Sequence, residues 1–315
     1  MAQGVREAPQ AWPGAAMEVS FRERVYAFWE LTKPRIVFLL LFTEICAMVA
    51  ATHRVPLTWQ AVAAVAGLAL TAGGSAALNM WYDRDVDPQM SRTADRPLPR
   101  GVVRPGTALV FALVLGVVGV LVLTVGDNPL SGLLGLGGYL YYGVLYTMIL
   151  KRRTPQNIVI GGGAGAFPPL IGWAAMTGRL DLAPWLMFLL IFLWTPSHFW
   201  GLALYKREDY ARASIPMMPV VRGEASTKRQ MVVYAVLLIG ASAVLPLTTS
   251  LGWLYAVPAA AAGLWFLWIH ARLLGAQTEQ ARAHWAKRTF LASLIYLPVL
   301  FSAIALGALW PLGLV

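Results

Sequence analysis

Asn79, Asp83 and Asp87 form an N-x-x-x-D-x-x-x-D series that begins where a long apolar run ends. Residues four apart lie on one face of a helix, so a helical stretch here would align one amide oxygen and two carboxylates. Hard oxygen ligands of this kind suit Mg²⁺, which binds one or two carboxylates and takes other ligands from water and a substrate phosphate. The competing interpretation is a solvated acidic cap on a loop. The surrounding residues favour the metal site.

The same loop continues with Arg92 and Arg96, again four residues apart. Guanidinium groups are always charged, and their forked donors match phosphate or carboxylate oxygens. Ordinary positive charge flanking a membrane span is the alternative. A pair that keeps the spacing of the acidic series favours a binding role.

A second charged loop reads YKREDYARASIPMMPVVRG and begins at Tyr205. Lys206 and Asp209 are its candidate functional residues. Asp209 would complete a second metal site, and Lys206 would meet a diphosphate as a point charge. Taken alone, this is a common charged loop. Together the two loops predict anionic and cationic groups facing one another at one end of a helix bundle.

His198 lies in the apolar segment WTPSHFWGLALY, about two helical turns before the second loop. An ionisable residue inside a membrane span is a functional candidate by default. Three roles remain open: an axial iron ligand, a proton acceptor or a structural hydrogen bond. The other histidines, His53, His270 and His284, are expected at interfaces or in loops, and no role is predicted for them.

The elements that carry these residues are membrane spans. The chain has 58% hydrophobic and only 13% charged residues, with a mean hydropathy of +0.62. Such values exclude an ordinary soluble domain. Backbone groups in lipid must be paired within each segment, so apolar runs long enough to cross about 30 Å of hydrocarbon are helices. We predict an all-α bundle of nine spans, at 36–52, 58–78, 107–125, 130–149, 158–176, 184–204, 232–250, 253–271 and 289–310.

The distribution of charge predicts the orientation of the bundle. With the N-terminus placed in the cytoplasm, 23 of the 25 Lys and Arg residues lie on that side, and only Arg54 and Arg179 lie opposite. This asymmetry follows the positive-inside rule and predicts a cytoplasmic N-terminus and an external C-terminus. The net charge of +10 is thereby explained without a nucleic-acid partner.

We expect two parts in the chain. Residues 1–34 form a cytoplasmic segment without a secretory signal, in which Glu18–Lys33 is an amphipathic stretch at the membrane interface. Residues 35–315 form one intramembrane domain. The single cysteine, Cys46, excludes a disulfide and a thiolate metal site.

Glycine-rich segments near the charged loops predict close helix packing and a cavity. Gly73 and Gly74, and the run from Gly161 to Gly165, let helices approach one another. They also remove side-chain bulk at that level. We expect 67–78 and 157–168 to line the cavity.

Three passages together identify a family resemblance: NMWYDRDVD…RPLPRG, YTMILKRRTPQNIVIGGG, and WTPSHFWGLAL followed by DYARASIPMMPVVRG. They resemble the protoheme IX farnesyltransferases, also called haem O synthases, of the UbiA-type superfamily of intramembrane aromatic prenyltransferases. The resemblance covers roughly 25–310. It implies nine helices around a lipid-accessible cavity, with two acidic motifs that hold Mg²⁺ and an isoprenoid diphosphate.

The resemblance also implies a role for each candidate residue. Asn79, Asp83 and Asp87 correspond to the first acidic motif and, with Asp209, are the implied catalytic and metal-binding set. Tyr205 stands where the second motif often has Asp. Diphosphate or propionate contacts are implied for a basic and polar group, and a haem-side position for His198. That group comprises Arg92, Arg96, Lys151, Tyr205 and Lys206.

The implied reaction transfers farnesyl from farnesyl diphosphate to a vinyl group of haem B, with addition of water, giving haem O and pyrophosphate. The implied setting is the bacterial inner membrane with a cytoplasmic active site, among membrane lipid and with haem A synthase as a candidate partner. One alternative is a sister prenyltransferase acting on hydroxybenzoate, a quinone precursor or chlorophyllide. A transporter fits less well. Transporters place their binding sites near the middle of the membrane, whereas here the charged residues cluster in the loops at one end and Glu44 is the one charged residue within the spans. A haem chaperone would not need the acidic series.

Overall fold

The computed structural model describes residues 19–313, and this range is helical without a β-strand. In chain order the α-helices are α1 (Phe21–Leu31), α2 (Pro34–Thr52), α3 (Trp59–Asp83), α4 (Pro105–Gly126), α5 (Pro129–Leu140), α6 (Asn157–Gly161), α7 (Phe167–Thr177), α8 (Leu182–Tyr205), α9 (Arg207–Arg212), α10 (Met218–Val221), α11 (Gly223–Val244), α12 (Gly252–Leu274) and α13 (Glu279–Leu309). Short 3₁₀ turns occupy Asp87–Gln89, Gly162–Ala166 and Leu245–Leu247, and a π-helix occupies Tyr141–Leu150.

Nine helical segments within the described range are long and apolar enough to cross a membrane, which confirms the predicted number of spans. The seventh and ninth begin at Gly223 and Glu279, nine and ten residues earlier than hydropathy predicts. Apolar content marks the part of a helix that lies in lipid, whereas the end of the helix depends on capping. For the ninth span, the Thr278 side chain accepts a hydrogen bond from the Ala281 amide and caps α13.

The amphipathic stretch predicted before the first span forms α1. A capping box starts it, because the Ser20 side chain accepts from the Glu23 amide and Glu23 accepts from the Ser20 amide. Ala27 and Leu31 are buried, while a row of large apolar residues stays exposed, as expected for a helix at a lipid interface. That row is Phe21, Val25, Tyr26 and Trp29. Glu18 and the rest of 1–18 lie outside the described residues.

Glycine brings α3 and α4 into close contact. A Cβ atom added to Gly74 would lie 2.8 Å from the Ala112 carbonyl oxygen, and one added to Gly119 would lie 2.9 Å from the Gly67 carbonyl oxygen. Both distances are too short for a real side chain. The small residues therefore set the separation of the two helices, as predicted for Gly74.

The fourth and fifth spans are irregular near the cavity. The fourth changes from α-helix to π-helix at Tyr141, and the fifth is interrupted by the 3₁₀ turn Gly162–Ala166 between α6 and α7. Irregular backbone at membrane depth is tolerated where it faces protein or a cavity. Pro168 follows this turn, and it lines the cavity together with Gly161, Gly162 and Gly165.

Candidate active site

Asn79 and Asp83 end α3 and are almost completely buried, with 2% and 1% exposure. The helix stops at Asp83, and Asp87 begins the separate 3₁₀ turn. The single helical face predicted for all three residues is therefore wrong beyond Asp83. Beyond Asp83 the Val86 amide donates three residues back, to the Asp83 carbonyl oxygen, and Pro88 supplies no backbone donor that could continue the α-helix. Asp87 is nevertheless buried beside the same cluster.

Each carboxylate of the acidic series is paired with a cation. Lys151 forms a salt bridge with Asp83, whose other carboxylate oxygen lies 3.4 Å from Arg152. The Asn79 amide donates to Asp83 at 2.7 Å. Arg96 Nη1 contacts both oxygens of Asp87, at 2.8 and 2.9 Å. The predicted basic residues Arg96 and Lys151 thus form salt bridges with two of the predicted metal ligands, Asp87 and Asp83.

Lys33 is a member of this cluster that sequence reasoning missed. Its Nζ donates to Asn79 Oδ1 at 2.6 Å and to the Tyr142 hydroxyl at 3.1 Å. The backbone of Lys33 is left-handed, with φ of 51°, at the junction of α1 and α2. In the sequence Lys33 appears as one more positive charge before a span. Its position immediately before Pro34 was the only local signal.

The π-helix supplies the aromatic side of the cluster. Tyr142 and Tyr146 stack with ring centroids 5.6 Å apart, and the Tyr142 hydroxyl lies 3.4 Å from Asn79 Oδ1. Thr147 accepts from the Asn79 amide at 3.2 Å. Neither Tyr142 nor Thr147 was predicted, because only the fold brings the fourth span beside the end of α3.

The two charged loops meet, as predicted. Ser91 donates to Asp209 at 2.6 Å, and Arg92 donates to the Tyr210 hydroxyl at 2.8 Å with its guanidinium over the Tyr210 ring. Asp209 is also paired with Arg212. Asp209 is thus held by its own loop and by Ser91.

Tyr205 and Lys206 lie in a separate cleft. Lys206 Nζ is 5.4 Å from the centre of the Tyr205 ring. This polar cleft has a volume of about 490 Å³, and Asp209 is on its border. The structure does not bring Tyr205 or Lys206 into the cluster around Asp83. Other charged residues that line the cleft are Arg207, Glu208, Glu224, Lys228, Glu279 and Arg282.

An apolar cavity of about 380 Å³ runs from the Lys33 cluster into the bundle. Both glycine-containing segments predicted to line it contribute, through 68–76 and 158–168. Leu68, Thr71 and Ile171 are among the lining residues far from the charged loops along their helices. A charged mouth that opens onto an apolar cavity fits an amphiphile with a polyanionic head and a hydrocarbon tail.

His198 lines the same cavity. Its Nδ1 lies 2.7 Å from Ser293 Oγ, and its ring stacks on Trp194 with centroids 4.4 Å apart.

The prediction that His270 lies at an interface or in a loop is wrong, because this residue is 1% exposed inside α12. Its nitrogens lie 2.8 Å from the Phe266 carbonyl oxygen and 3.0 Å from Ser197 Oγ. Hydropathy could not identify a histidine whose polar atoms are all paired within the core.

Burial dominates the electrostatics of the cluster. It lowers the pKa of Lys33 well below its ordinary value, assisted by Arg96 and Lys151. Burial also lowers the pKa of Lys151, against the opposing effect of Asp83. It raises the pKa of Asp87 against the effect of Arg96. Crowded, poorly hydrated cations of this kind are suited to a multiply charged anion.

A metal ion would need ligands from outside the protein. Across 19–313, no group of three or more His, Cys, Asp or Glu residues is placed to hold a metal on its own. Asn79 Oδ1 is engaged by Lys33, Asp83 by Lys151, and Asp87 by Arg96. The donors are hard oxygens, and Mg²⁺ commonly combines one or two carboxylates with substrate phosphate. The residues therefore fit Mg²⁺ when it arrives with a phosphate ligand.

Comparison with known proteins identifies the family of this chain. The model of the UbiA prenyltransferase family matches residues 40–295. The chain belongs to the UbiA prenyltransferase family. A relative from Symbiobacterium thermophilum, named protoheme IX farnesyltransferase, is 50% identical over 276 residues, covering 88% of this chain and 92% of the relative.

Solved structures show the same fold at low sequence identity. A digeranylgeranylglyceryl phosphate synthase has a TM-score of 0.75 and 17% identity, covering 91% of this chain and 99% of that chain. A UbiA homologue from Archaeoglobus fulgidus, solved with DMAPP and Mg²⁺, has a TM-score of 0.65 and 17% identity, covering 88% and 98%. The protein is thus a polytopic integral membrane prenyltransferase of the UbiA type, with nine spans in its described part.

Proposed function

We propose that this prenyltransferase transfers farnesyl from farnesyl diphosphate to a vinyl group of haem B, with addition of water, to give haem O and pyrophosphate. The observation that carries the proposal is the cluster of Lys33, Lys151 and Arg96 around the acidic series, together with the apolar cavity that Lys33 lines. The name of the Symbiobacterium relative supports the choice of haem as acceptor.

The diphosphate would lie among the cations that now pair with the acidic series. Lys33, Arg92, Arg96 and Lys151 offer charge-assisted donors to its oxygens. Asn79, Asp83 and Asp87 would hold Mg²⁺ together with the diphosphate, and Asp209 would hold a second ion. The Archaeoglobus homologue, solved with DMAPP and Mg²⁺, supports this assignment. When bound, the ion neutralises charge that develops on the leaving diphosphate.

The chain's own cations would assist the same step. Breaking the farnesyl C1–O bond leaves an allylic cation and a more highly charged pyrophosphate, and fixed donors at that oxygen stabilise the transition state. The π bond of the porphyrin vinyl group then breaks, its terminal carbon forms the new C–C bond at C1, and the vinyl carbon next to the porphyrin ring is left as a cation. Water adds to the resulting cation and loses a proton, which leaves the hydroxyl of haem O.

The site must admit the one water molecule that adds to the porphyrin-side cation, and it must otherwise exclude water. The cavity beyond Tyr142 and Tyr146 is lined mainly by apolar side chains, so it would shield the allylic cation from bulk solvent. The separate cleft at Tyr205 and Lys206 suits a propionate of the porphyrin better than the diphosphate, because Lys206 is outside the Asp83 cluster. His198, on the cavity wall, would lie on the haem side.

The orientation of the protein is part of the proposal. The excess of Lys and Arg in 79–105, 150–157 and 205–231 supports a site on the cytoplasmic side of the bacterial inner membrane. Farnesyl diphosphate, a charged molecule, would then reach the site from the cytoplasm, on the side of the charged loops.

A competition assay tests the acceptor. Purified protein in lipid nanodiscs receives farnesyl diphosphate, Mg²⁺, haem B and a phenolic acceptor together, and products are identified by mass spectrometry. The proposal predicts a haem adduct with one farnesyl and one hydroxyl group, abolished by EDTA. Prenylation of the phenol with no haem adduct would contradict the proposal and would indicate that the protein prenylates a phenolic acceptor.

A further inference from the structure

The hydrogen bonds of His198 define which of its nitrogens carries the proton. Ser293 Oγ lies 2.5 Å from the Phe290 carbonyl oxygen, which can only accept, so the single hydroxyl proton of Ser293 is donated there. Ser293 Oγ must then accept from His198 Nδ1, at 2.7 Å. In the neutral imidazole this leaves the lone pair on Nε2.

The free nitrogen of His198 is open to the cavity. Within the described part of the chain Nε2 has no hydrogen-bond partner, and it is not among the buried unpaired atoms. Aromatic rings hold the imidazole in place. The centroid of its ring lies 4.4 Å from that of Trp194, with nearly parallel planes, and 5.0 Å from those of Phe290 and Phe199. The direction of the Nε2 lone pair is therefore fixed before any ligand binds.

This arrangement is that of a preorganised metal ligand. Histidines that bind metals generally donate their other ring N–H to an oxygen acceptor, which fixes the tautomer and the ring orientation. A proximal histidine is a common axial ligand of haem iron. His270 offers a contrast, because both of its nitrogens are already engaged by Phe266 and Ser197.

We propose that His198 Nε2 is the axial ligand of the porphyrin iron, with Ser293 as the positioning residue that holds its tautomer. This inference rests on the proposed function, which supplies haem B as substrate. An axial bond sets the porphyrin plane across the Fe–N direction. Binding the acceptor by its centre would restrict which edge of the ring can approach the Lys33 cluster.

Equilibrium binding to the purified full-length protein in nanodiscs, without farnesyl diphosphate, tests the ligation. Haem B and metal-free protoporphyrin IX are titrated separately, and the Soret band and the resonance Raman iron–histidine signature are recorded. His198→Ala is expected to lose the iron–histidine signature and to weaken haem B binding, while protoporphyrin IX binding is unchanged. Free imidazole is expected to restore the signature in that variant.

Two further variants separate ligation from packing. Ser293→Ala should weaken haem B binding about ten- to hundredfold, as for other partners of ligating histidines, and leave protoporphyrin IX binding unchanged. His284→Ala, at an exposed histidine, should behave as wild type in every titration. Equal loss of both porphyrins in His198→Ala would overturn the ligation, because the ring would then act only by packing.

The outcomes also distinguish this inference from the proposed function. Wild-type protein that farnesylates haem B but shows no iron–histidine signature, or keeps the signature in His198→Ala, contradicts the ligation alone. Wild-type protein that binds neither porphyrin contradicts the proposed acceptor, and the ligation fails with it.

Discussion

Lys33 Nζ donates to Asn79 Oδ1 across 2.6 Å and so joins the start of the first span to the last turn of the second. The same ammonium group reaches the Tyr142 hydroxyl in the fourth span. One ammonium group thus connects three spans, and Lys33 also lines the apolar cavity. A cation in this position can bind the diphosphate while it contacts Asn79, one of the residues proposed to hold Mg²⁺.

Replacing Lys33 with methionine tests this role, since the change keeps most of the side-chain length and removes the charge. Loss of one fixed donor to a developing anion typically reduces kcat by about a hundredfold or more. We expect Lys33→Met to lower the rate of farnesyl transfer by about that factor, measured by steady-state kinetics. Arg24→Met, on the exposed face of α1, is the control. Equal rates for Lys33→Met and Arg24→Met would remove Lys33 from the site.

The separation of the two polar sites predicts a division in substrate affinity. Lys151→Met removes a cation from Asp83 and should raise KM mainly for farnesyl diphosphate. Lys206→Met alters the neighbouring cleft and should raise KM mainly for haem B. A charge-assisted hydrogen bond is worth about 1.5–3 kcal/mol, or about ten- to hundredfold in affinity. Measuring both KM values for each variant would show whether the two effects separate, and an effect of Lys206→Met confined to farnesyl diphosphate would contradict the division.

Asp127 predicts a pH dependence of stability. Both of its carboxylate oxygens are buried without a hydrogen-bond partner in the described structure, and burial raises its pKa to about 7 from an ordinary value of 3.8. Between these values the folded state binds a proton that the unfolded state has released. Stability attributable to this group therefore decreases as pH rises from about 4 to about 7.

Asp127→Asn should remove that decrease. Thermal unfolding in nanodiscs is measured at several pH values from 5 to 8. The midpoint of Asp127→Asn minus that of wild type should increase as pH increases. Glu44 is an electrostatic neighbour of Asp127 and is also buried without a partner, so it is kept unchanged. Asp95→Asn, at an exposed aspartate, is the control. Parallel pH profiles for wild type and Asp127→Asn would contradict the prediction.

Gly74 predicts the sensitivity of the α3–α4 contact. An added methyl group would lie 2.8 Å from the Ala112 carbonyl oxygen, so Gly74→Ala must push the helices apart. Overpacking of this kind typically costs about 1–3 kcal/mol. At Gly240 the space around an added Cβ is open, so Gly240→Ala should be neutral or stabilising. Thermal unfolding of the two variants compares the same chemical change in crowded and open surroundings, and equal midpoints would refute the packing argument.

Hydropathy predicted the spans because lipid forces the backbone of each apolar run into a helix. Asp83 and Asp87 were predicted because carboxylates beside a membrane span are conspicuous in a sequence. Lys33 was missed since its role depends on a left-handed backbone and on the fourth span. The π-helix that aligns Tyr142 with Asn79 likewise has no periodic signal in the sequence. His270 was misjudged because its partners come from residues four and 73 positions away.

Asp83→Ala, measured for haem O formation under saturating farnesyl diphosphate, haem B and Mg²⁺, tests the central claim most directly. Asp83 is the residue on which the Asn79 amide, Lys151 and the proposed ion converge. We predict a loss of at least about a hundredfold in rate, with thermal unfolding and porphyrin binding still observed. Asp95→Ala, in the same loop but exposed, should keep the wild-type rate. Haem O formation by Asp83→Ala at the rate of Asp95→Ala would contradict the proposed diphosphate site.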